Sequence, residues 1–329
     1  MVRRIVQVQP TRHSKPTVTR HEPTQIVDTR RHGKLSCYPV NPTGRNSQSK
    51  PNSNVVAIIP ARFASTRLPG KALMKIAGKP MICRVVERAL AASRVTRVIV
   101  ATDDERIRGA VESAGYEAVM TRDSHGSGTD RLAEVAQRLT DADIIVNIQG
   151  DEPLISAATI DRAIEVMARE IVIDSSPGVK DAGEKEPAGI VTTFEPIDSI
   201  ADVLNPDVVK IVLNDRGKAL YFSRSPVPYP RDAVRKFGTI EAALRNESGL
   251  LCNFRKHTGL YVYRRDVLLQ FAIWPCSELE IFESLEQLRA LEHGITIRAI
   301  EAMTPSIGVD TLEDLERVRA IVDRSETLA

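Results

Sequence analysis

Short apolar runs alternate with amphipathic segments from residue 55 onward. The run VVAII at residues 55–59 has the length of a strand and is apolar at every position, as expected for a strand buried on both faces. The expected strands are 55–59, 97–101, 117–120 and 144–148, and the expected helices are 81–92, 105–114 and 130–139. This alternation predicts an α/β fold with a mostly parallel, Rossmann-like sheet covered by helices on both faces.

The pattern changes after residue 170. Residues 170–187 are rich in Ser, Pro, Gly and mixed charges, which predicts a surface loop. Strand-like runs then follow at 189–194, 208–213, 219–222 and 259–263 with little helix expected between them, so residues 208–263 are expected to form a smaller, more antiparallel β region. Helices at 278–293 and 311–323, with a strand at 295–300 between them, are expected to close a domain spanning residues 54–325.

The first 53 residues differ in composition from the rest. They carry ten Lys or Arg against two acidic residues, although the whole chain of 329 residues has a net charge of only +2. The segment lacks sustained apolar periodicity, which predicts a disordered basic extension. A nucleic-acid-binding tail and a transit-like peptide are alternatives for such a composition.

Composition also limits the class of protein. No run approaches the roughly 18 apolar residues of a membrane-spanning helix, so no membrane span is expected. The four cysteines, Cys37, Cys83, Cys252 and Cys276, have neither metal-ligand spacing nor a close pair. Isolated thiols are typical of a protein of the reducing cytoplasm.

A basic loop follows the first expected strand. Residues 60–71 read PARFASTRLPGK, and ligands of open α/β sheets bind beyond the carboxyl ends of the strands. Arg62, Arg67 and Lys71 could hold a triphosphate while Gly70 permits close backbone approach. The loop is not a Walker A or dinucleotide motif, and an ordinary basic surface loop is the alternative.

Two aspartates could hold a hard cation. Asp151 directly follows a strongly apolar strand, within the segment QGDEP, and a distant partner for it is Asp310. Magnesium is usually held by one or two carboxylates together with waters and substrate phosphates. Asp310 could instead cap the last helix, and Asp151 could be a turn carboxylate.

Residues 127–131, SGTDR, are expected to form a turn that leads into a helix. Hydroxyls, backbone amides and the helix dipole could there meet a nucleotide base or its ribose. Ser127 or Thr129 could equally be an ordinary helix cap.

Several motifs together resemble one family. PARFASTRLPGK is similar to the signature of the CMP-3-deoxy-manno-octulosonate synthetases, which belong to the wider nucleotide-sugar transferase superfamily. Further matching motifs follow in order over roughly residues 55–325, namely ATD at 101–103, SGTDR at 127–131, NIQGDEP at 147–153, YFSR at 221–224, HTGLY at 257–261, LEQLR at 285–289 and GVDT at 308–311.

The resemblance implies a reaction and the residues that carry it. It implies transfer of CMP from CTP to a 3-deoxy-octulosonic acid, for lipopolysaccharide synthesis, by a cytoplasmic homodimer that contacts its partner through the smaller β region. Mg²⁺ would be held by Asp151 and Asp310, and Lys71 would join them in catalysis. The expected CTP-binding residues are Arg62, Arg67, Lys71, Ser127, Arg131 and Gln149, and the expected sugar-binding residues are Gln149, Arg224, His257, Tyr261, Glu283 and Gln287.

The chain departs from the family pattern in three places. The family usually has His-Gln before Ser-Gly-Thr where this chain has His125-Gly126, residues 170–189 add length, and the N-terminal extension is extra. Rival functions with the same fold are those of a CMP-sialic acid synthetase and a sugar-1-phosphate nucleotidylyltransferase. A non-enzymatic rival is a nucleotide-binding protein whose basic tail engages nucleic acid, although no nucleic-acid partner is expected.

Overall fold

The computed structural model describes residues 53–64, 68–175 and 187–327. The predicted N-terminal extension therefore lies almost entirely outside the described residues, as does most of the predicted loop at 170–187. The described residues belong to one compact unit. No helix among them is long and apolar enough to cross a membrane.

One mixed sheet organises the described part of the chain. Seven of its nine strands follow the order β11-β7-β10-β6-β1-β4-β5, and β8 and β9 extend it beside β10. β1 pairs in parallel with β4 and β6, whereas β10 runs antiparallel to β6, β7 and β8. The strands are β1 (Val55–Ala61), β2 (Lys75–Ile76), β3 (Lys79–Pro80), β4 (Arg97–Thr102), β5 (Ala118–Met120), β6 (Ile144–Asn147), β7 (Ile190–Pro196), β8 (Lys210–Leu213), β9 (Ala219–Ser223), β10 (Arg255–Arg264) and β11 (Ile297–Glu301), of which β2 and β3 form a separate hairpin.

Helices cover both faces of this sheet. They are α1 (Met81–Leu90), α2 (Glu105–Ser113), α3 (Gly128–Arg138), α4 (Ala157–Ser175), α5 (Ile200–Leu204), α6 (Arg231–Phe237), α7 (Ile240–Asn246), α8 (Arg265–Phe271), α9 (Glu278–Glu283), α10 (Gln287–Glu292) and α11 (Leu312–Thr327). Val55, Ala57 and Ile59 of β1 pack with α1 and α4, while Val56 and Ile58 pack with α3 on the opposite face. Because successive strand residues point to opposite faces, a strand covered on both sides must be apolar throughout, which explains the run VVAII.

Some of the predictions for the second half of the chain are wrong. Helices α6 and α7 and a short 3-10 helix lie between β9 and β10, where little helix was expected. These helices are seven residues or shorter, so each shows too few turns for a clear apolar period. The β region at 208–263 is antiparallel as expected, but its strands join the main sheet through β10.

Two predicted boundaries also change. Helix α4 continues to Ser175, because residues 171–173 are apolar and the Pro and Gly that break a helix begin only at residue 177. The predicted helix at 278–293 is two helices, α9 and α10. They are separated at Ser284, whose φ of 53° lies in the left-handed region and ends α9.

Candidate active site

The loop after β1 is closed by its own backbone. The Gly70 N–H donates to the Phe63 carbonyl at 3.0 Å, and the φ of Gly70 is 69°. A Cβ at Gly70 would lie 3.1 Å from the Phe63 ring, so a glycine fits both the positive φ and the lack of space for a side chain. The Arg62 Nη2 is buried and has no hydrogen-bond partner among the described residues. Arg67 lies outside the described residues.

Lys71 joins the two candidate aspartates. Its Nζ lies 2.6 Å from Asp151 Oδ2 and 3.0 Å from Asp310 Oδ1, and it also donates to the Val309 carbonyl at 3.1 Å. The Val309 N–H in turn donates to the Asp151 carbonyl at 2.9 Å, which holds the two acidic segments side by side. The structure thus brings residues 71, 151 and 310 to one point at the carboxyl edge of the parallel strands.

The charge of Lys71 is stabilised at this point. Partial burial of the ammonium works to lower the pKa of Lys71, but attraction to Asp151 and Asp310 and hydrogen bonds with them outweigh burial, so the pKa lies above its usual value. Lys71 is therefore a cation at physiological pH. A point where two carboxylates stabilise a positive charge also suits a divalent cation.

The last helix does not use Asp310 as its capping side chain. The Thr311 hydroxyl accepts from the Asp314 N–H at 3.1 Å, and Asp314 Oδ2 accepts from the Thr311 N–H at 2.9 Å. This reciprocal pair is a capping box. Asp310 directs its Oδ1 to Lys71 instead.

The turn before α3 gives two of the expected CTP-binding residues, Ser127 and Arg131, contacts within the protein. Ser127 caps α3 in a reciprocal pair with Asp130, as the alternative for this residue predicted. Arg131 is fully buried and its Nη2 binds Asp103 Oδ2 at 2.6 Å. A fully buried side chain offers no surface to a nucleotide, so in this structure Arg131 positions Asp103 at the carboxyl end of β4.

A cavity of about 260 Å³ opens beside this edge. Three of the expected residues, Gln149, Tyr261 and Gln287, line it. The other polar residues that line the cavity were not predicted to be site residues. Two of them belong to motifs of the family resemblance, because Glu286 lies in LEQLR and Asn147 is the first residue of NIQGDEP. The unpredicted polar residues are Thr129, Asn147, Tyr263, Ser284 and Glu286.

Glu286 has the electrostatic character of a site residue. Burial raises the pKa of its carboxyl, with a hydrogen bond from Thr129 opposing the shift. Its Oε2 is buried and has no hydrogen-bond partner in the described ranges. An acceptor of this kind beside a cavity suits a ligand hydroxyl.

Arg224 and Glu283 brace the wall of this cavity and do not line it. The Arg224 guanidinium donates to the carbonyls of Glu283 at 2.7 Å, Pro206 at 3.0 Å and Ser284 at 3.2 Å. The Glu283 carboxylate accepts from the Ser223 hydroxyl at 2.7 Å and the Arg224 N–H at 2.9 Å. Together they hold the irregular junction between α9 and α10.

His257 lies behind Tyr261, with ring centroids 5.2 Å apart. Its Nε2 lies 2.9 Å from the Thr192 hydroxyl, and burial lowers the pKa of His257 to about 3. The imidazole is therefore neutral at physiological pH. Its position supports the Tyr261 ring from outside the cavity lining.

The depressed pKa of His257 predicts a pH-dependent stability. The pKa of His257 is about 3 in the folded protein and 6.5 in the unfolded protein. As the pH falls from 6.5 toward 3, the unfolded protein binds a proton at His257 that the folded protein does not, so the free energy of unfolding decreases. Between pH 6 and 5, the free energy of unfolding of the wild type should fall more steeply than that of His257→Gln, by up to about 1.4 kcal/mol per pH unit. Urea unfolding at each pH measures this difference, and parallel slopes would contradict it.

Glycines allow the segments of the site to approach one another. A Cβ at Gly259, in the β-bulge of β10, would lie 2.9 Å from Gln149 Cγ, and a Cβ at Gly150 would lie 2.8 Å from the Pro60 carbonyl oxygen. Burial, aided by the charge of Asp151, raises the pKa of the intervening Glu152 to about 7. Segments 60–62, 149–152 and 257–261 thus meet without room for further side chains.

Gly150→Ala should damage the site. The added methyl must displace the Pro60 backbone, so we expect a stability loss of about 1–3 kcal/mol and a roughly tenfold or greater loss of kcat/KM. Gly109→Ala in α2 is the matched control, because a Cβ there meets nothing within 4 Å. The free energy of unfolding of the control should rise by about 1 kcal/mol, and its activity should not change. Thermal unfolding and turnover measure both, and equal behaviour of the two variants would refute the steric argument.

The fold and the cluster at the strand edge define an α/β nucleotidyltransferase. The sequence profile of the cytidylyltransferase family matches residues 56–297. The chain is 50% identical over 265 residues to a 3-deoxy-manno-octulosonate cytidylyltransferase of Trichlorobacter lovleyi, covering 80% of this chain and 97% of that protein. It is 53% identical over 264 residues to the protein of the same name from Geotalea daltonii, covering 80% and 96%.

A solved structure agrees with these relatives. A CMP:2-keto-3-deoxy-manno-octonic acid synthetase complexed with CTP superimposes with a TM-score of 0.69 at 42% identity, covering 83% of this chain and all of that one. The chain belongs to the 3-deoxy-manno-octulosonate cytidylyltransferase family. The predicted fold class, enzyme class and family are confirmed.

Proposed function

We propose that this protein transfers the CMP group of CTP to the anomeric hydroxyl of 3-deoxy-D-manno-octulosonate, releasing pyrophosphate. The observation that carries the proposal is the contact of the Lys71 ammonium with both Asp151, at 2.6 Å, and Asp310, at 3.0 Å. The cluster belongs to the same strand edge as the basic loop and the 260 Å³ cavity, and a nucleotide and a sugar acid need such neighbouring sites.

The reaction is an in-line displacement at the α-phosphorus. The anomeric oxygen forms a bond to that phosphorus and loses its proton, while the bond to the bridging oxygen breaks and pyrophosphate leaves from the opposite side. Such transfers are catalysed mainly by positioning and charge neutralisation. Arg62, Arg67 and Lys71 neutralise the triphosphate, and Gln149, Tyr261 and Gln287 orient the sugar acid.

Magnesium fits the residues present. Asp151 Oδ2 lies 2.6 Å and Asp310 Oδ1 lies 3.0 Å from the same Lys71 ammonium, so the two carboxylate oxygens face a single cation. In the described ranges, no group of three or more His, Cys, Asp or Glu is arranged to hold a metal. Two carboxylates leave positions for waters and CTP phosphates, which agrees with a metal that arrives with the nucleotide. When bound, Mg²⁺ would lower the pKa of the attacking hydroxyl and bind phosphate oxygens.

The decisive experiment measures pyrophosphate release by the purified protein. We expect release with CTP and the eight-carbon keto-acid together, loss of release with EDTA, and little release with CTP alone. Parallel reactions with the other three nucleoside triphosphates, with sialic acid and with sugar 1-phosphates test the rival functions. Preference for any of these substrates would overturn the proposal.

The product would be the activated sugar for lipopolysaccharide synthesis, made in the cytoplasm where CTP is available. We also propose a homodimer through the β region at 208–263. Leu220 and Tyr229 there are 60% and 58% exposed, and a partner subunit would bury this apolar surface. Sedimentation at micromolar concentration should show a dimer, and Leu220→Asp should shift it to monomer. A monomeric wild type would contradict the assignment.

A further inference from the structure

The segment that carries Asp310 has no regular secondary structure. β11 ends at Glu301 and α11 begins at Leu312, so hydrogen bonds to other elements must hold the ten residues between them. The N–H of Met303 donates to the Thr159 hydroxyl at 3.0 Å, and the N–H of Val309 donates to the Asp151 carbonyl at 2.9 Å. Midway between these tethers, the N–H of Ser306 donates to Glu195 Oε1 at 3.0 Å.

Glu195 is a buried charge with two partners. The residue is 4% exposed, and its other oxygen, Oε2, lies 2.8 Å from the Lys256 Nζ. Lys256 is directly opposite Glu195 in the antiparallel pairing of β7 and β10. A carboxylate acceptor binds a backbone N–H about twice as strongly as a neutral acceptor does. A cavity of about 10 Å³, room for about one water, adjoins Glu195, Thr193 and Ser306.

We infer that Glu195 is a positioning residue for Asp310. By binding the Ser306 N–H, it holds the segment against the sheet so that the Asp310 carboxylate, four residues later, faces Asp151. The inference rests on the proposed metal-holding role of the two aspartates. Ligand positions must be accurate to about 0.5 Å, so loosening this tether should weaken the metal site without unfolding the protein.

The test measures Mn²⁺ binding to the protein without CTP, because CTP alone also binds Mn²⁺, and it follows the free ion by electron paramagnetic resonance. Glu195→Gln keeps the shape of the side chain but removes the charge, and it should weaken Mn²⁺ binding roughly 10- to 100-fold, as is usual for residues that orient metal ligands. Glu170→Gln is the matched control. Glu170 is also 4% exposed, accepts from the Ala188 N–H at 2.9 Å and pairs with Arg298 at 2.8 Å, but neither partner belongs to the Asp310 segment.

Asp310→Asn separates this inference from the proposed function. If Asp310→Asn loses Mn²⁺ binding and Glu195→Gln keeps it, the positioning role is wrong. If Asp310→Asn itself binds Mn²⁺ as the wild type does, the proposed metal pair is wrong. Equal weakening by Glu195→Gln and Glu170→Gln would indicate general destabilisation and overturn the inference. Should Glu195→Gln fail to fold, Glu195→Asp retains the charge but shortens the reach to Ser306, and it should weaken Mn²⁺ binding in the same way.

Discussion

Asp151→Asn should lower kcat by roughly two to four orders of magnitude while leaving the protein folded. The Asp151 carboxylate contacts the Lys71 ammonium at 2.6 Å and is 30% exposed, so it is open to a ligand and its charge balances a neighbouring cation. Asparagine has nearly the same shape but lacks the charge that a metal and Lys71 need. The loss should therefore appear in kcat at saturating CTP and Mg²⁺, measured as pyrophosphate release.

Asp174→Asn controls for the removal of an aspartate charge. Asp174 pairs with Arg264 at 2.7 Å, and its side chain is 45% exposed. Surface ion pairs contribute little, so this variant should keep normal turnover. Near-normal turnover of a folded Asp151→Asn protein would reject the catalytic role of Asp151.

Lys71→Met should lower kcat/KM by roughly two to three orders of magnitude, through loss of a cation that stabilises the charge on the departing pyrophosphate. The substitution should also change the stability of the protein, which can be measured without substrate. Lys71 Nζ separates two carboxylates, so its removal leaves Asp151 and Asp310 in mutual repulsion. We expect the melting temperature of the variant to fall, and added Mg²⁺ to restore part of the loss because a divalent cation can replace the missing charge.

Lys79→Met is the matched control for Lys71→Met. Lys79 also pairs with a carboxylate, that of Glu87, but its side chain is 54% exposed and belongs to the small hairpin. The control should keep its kcat/KM and should gain no specific protection from Mg²⁺. A Lys71→Met protein with wild-type kcat/KM would exclude Lys71 from the reaction.

The first half of the fold could be predicted because its pattern is local. Residues 55–59 are apolar at every position, and the spacing of residues 81–92 repeats every three to four positions, so each element can be identified without its neighbours. The second half could not be predicted as well. The helices α6 and α7 are too short to show their period, and the left-handed Ser284 divides a segment that has continuous helical periodicity.

The expected site residues fall into two groups, which differ in whether the structure places them where the family resemblance implied. Motif resemblance singled out Lys71, Asp151 and Asp310, and the structure places their charged atoms together. For Arg131 and Arg224 the family resemblance implied ligand binding, yet the guanidinium groups bind Asp103 in one case and backbone carbonyls in the other. An arginine suits an anion or a carbonyl equally well, and only the surrounding chain decides which of them it meets.

The sequence by itself determined the α/β class and the family, because these depend on local periodicity and on motifs with fixed spacing. Tertiary structure alone decided that Asp151 and Asp310, 159 positions apart in the chain, both contact the Lys71 ammonium. It also decided that Glu195, which belongs to no motif, holds the segment carrying Asp310. The physical reason is that helix periods and turn preferences act over a few residues, whereas a charge is placed by the packing of strands distant in sequence.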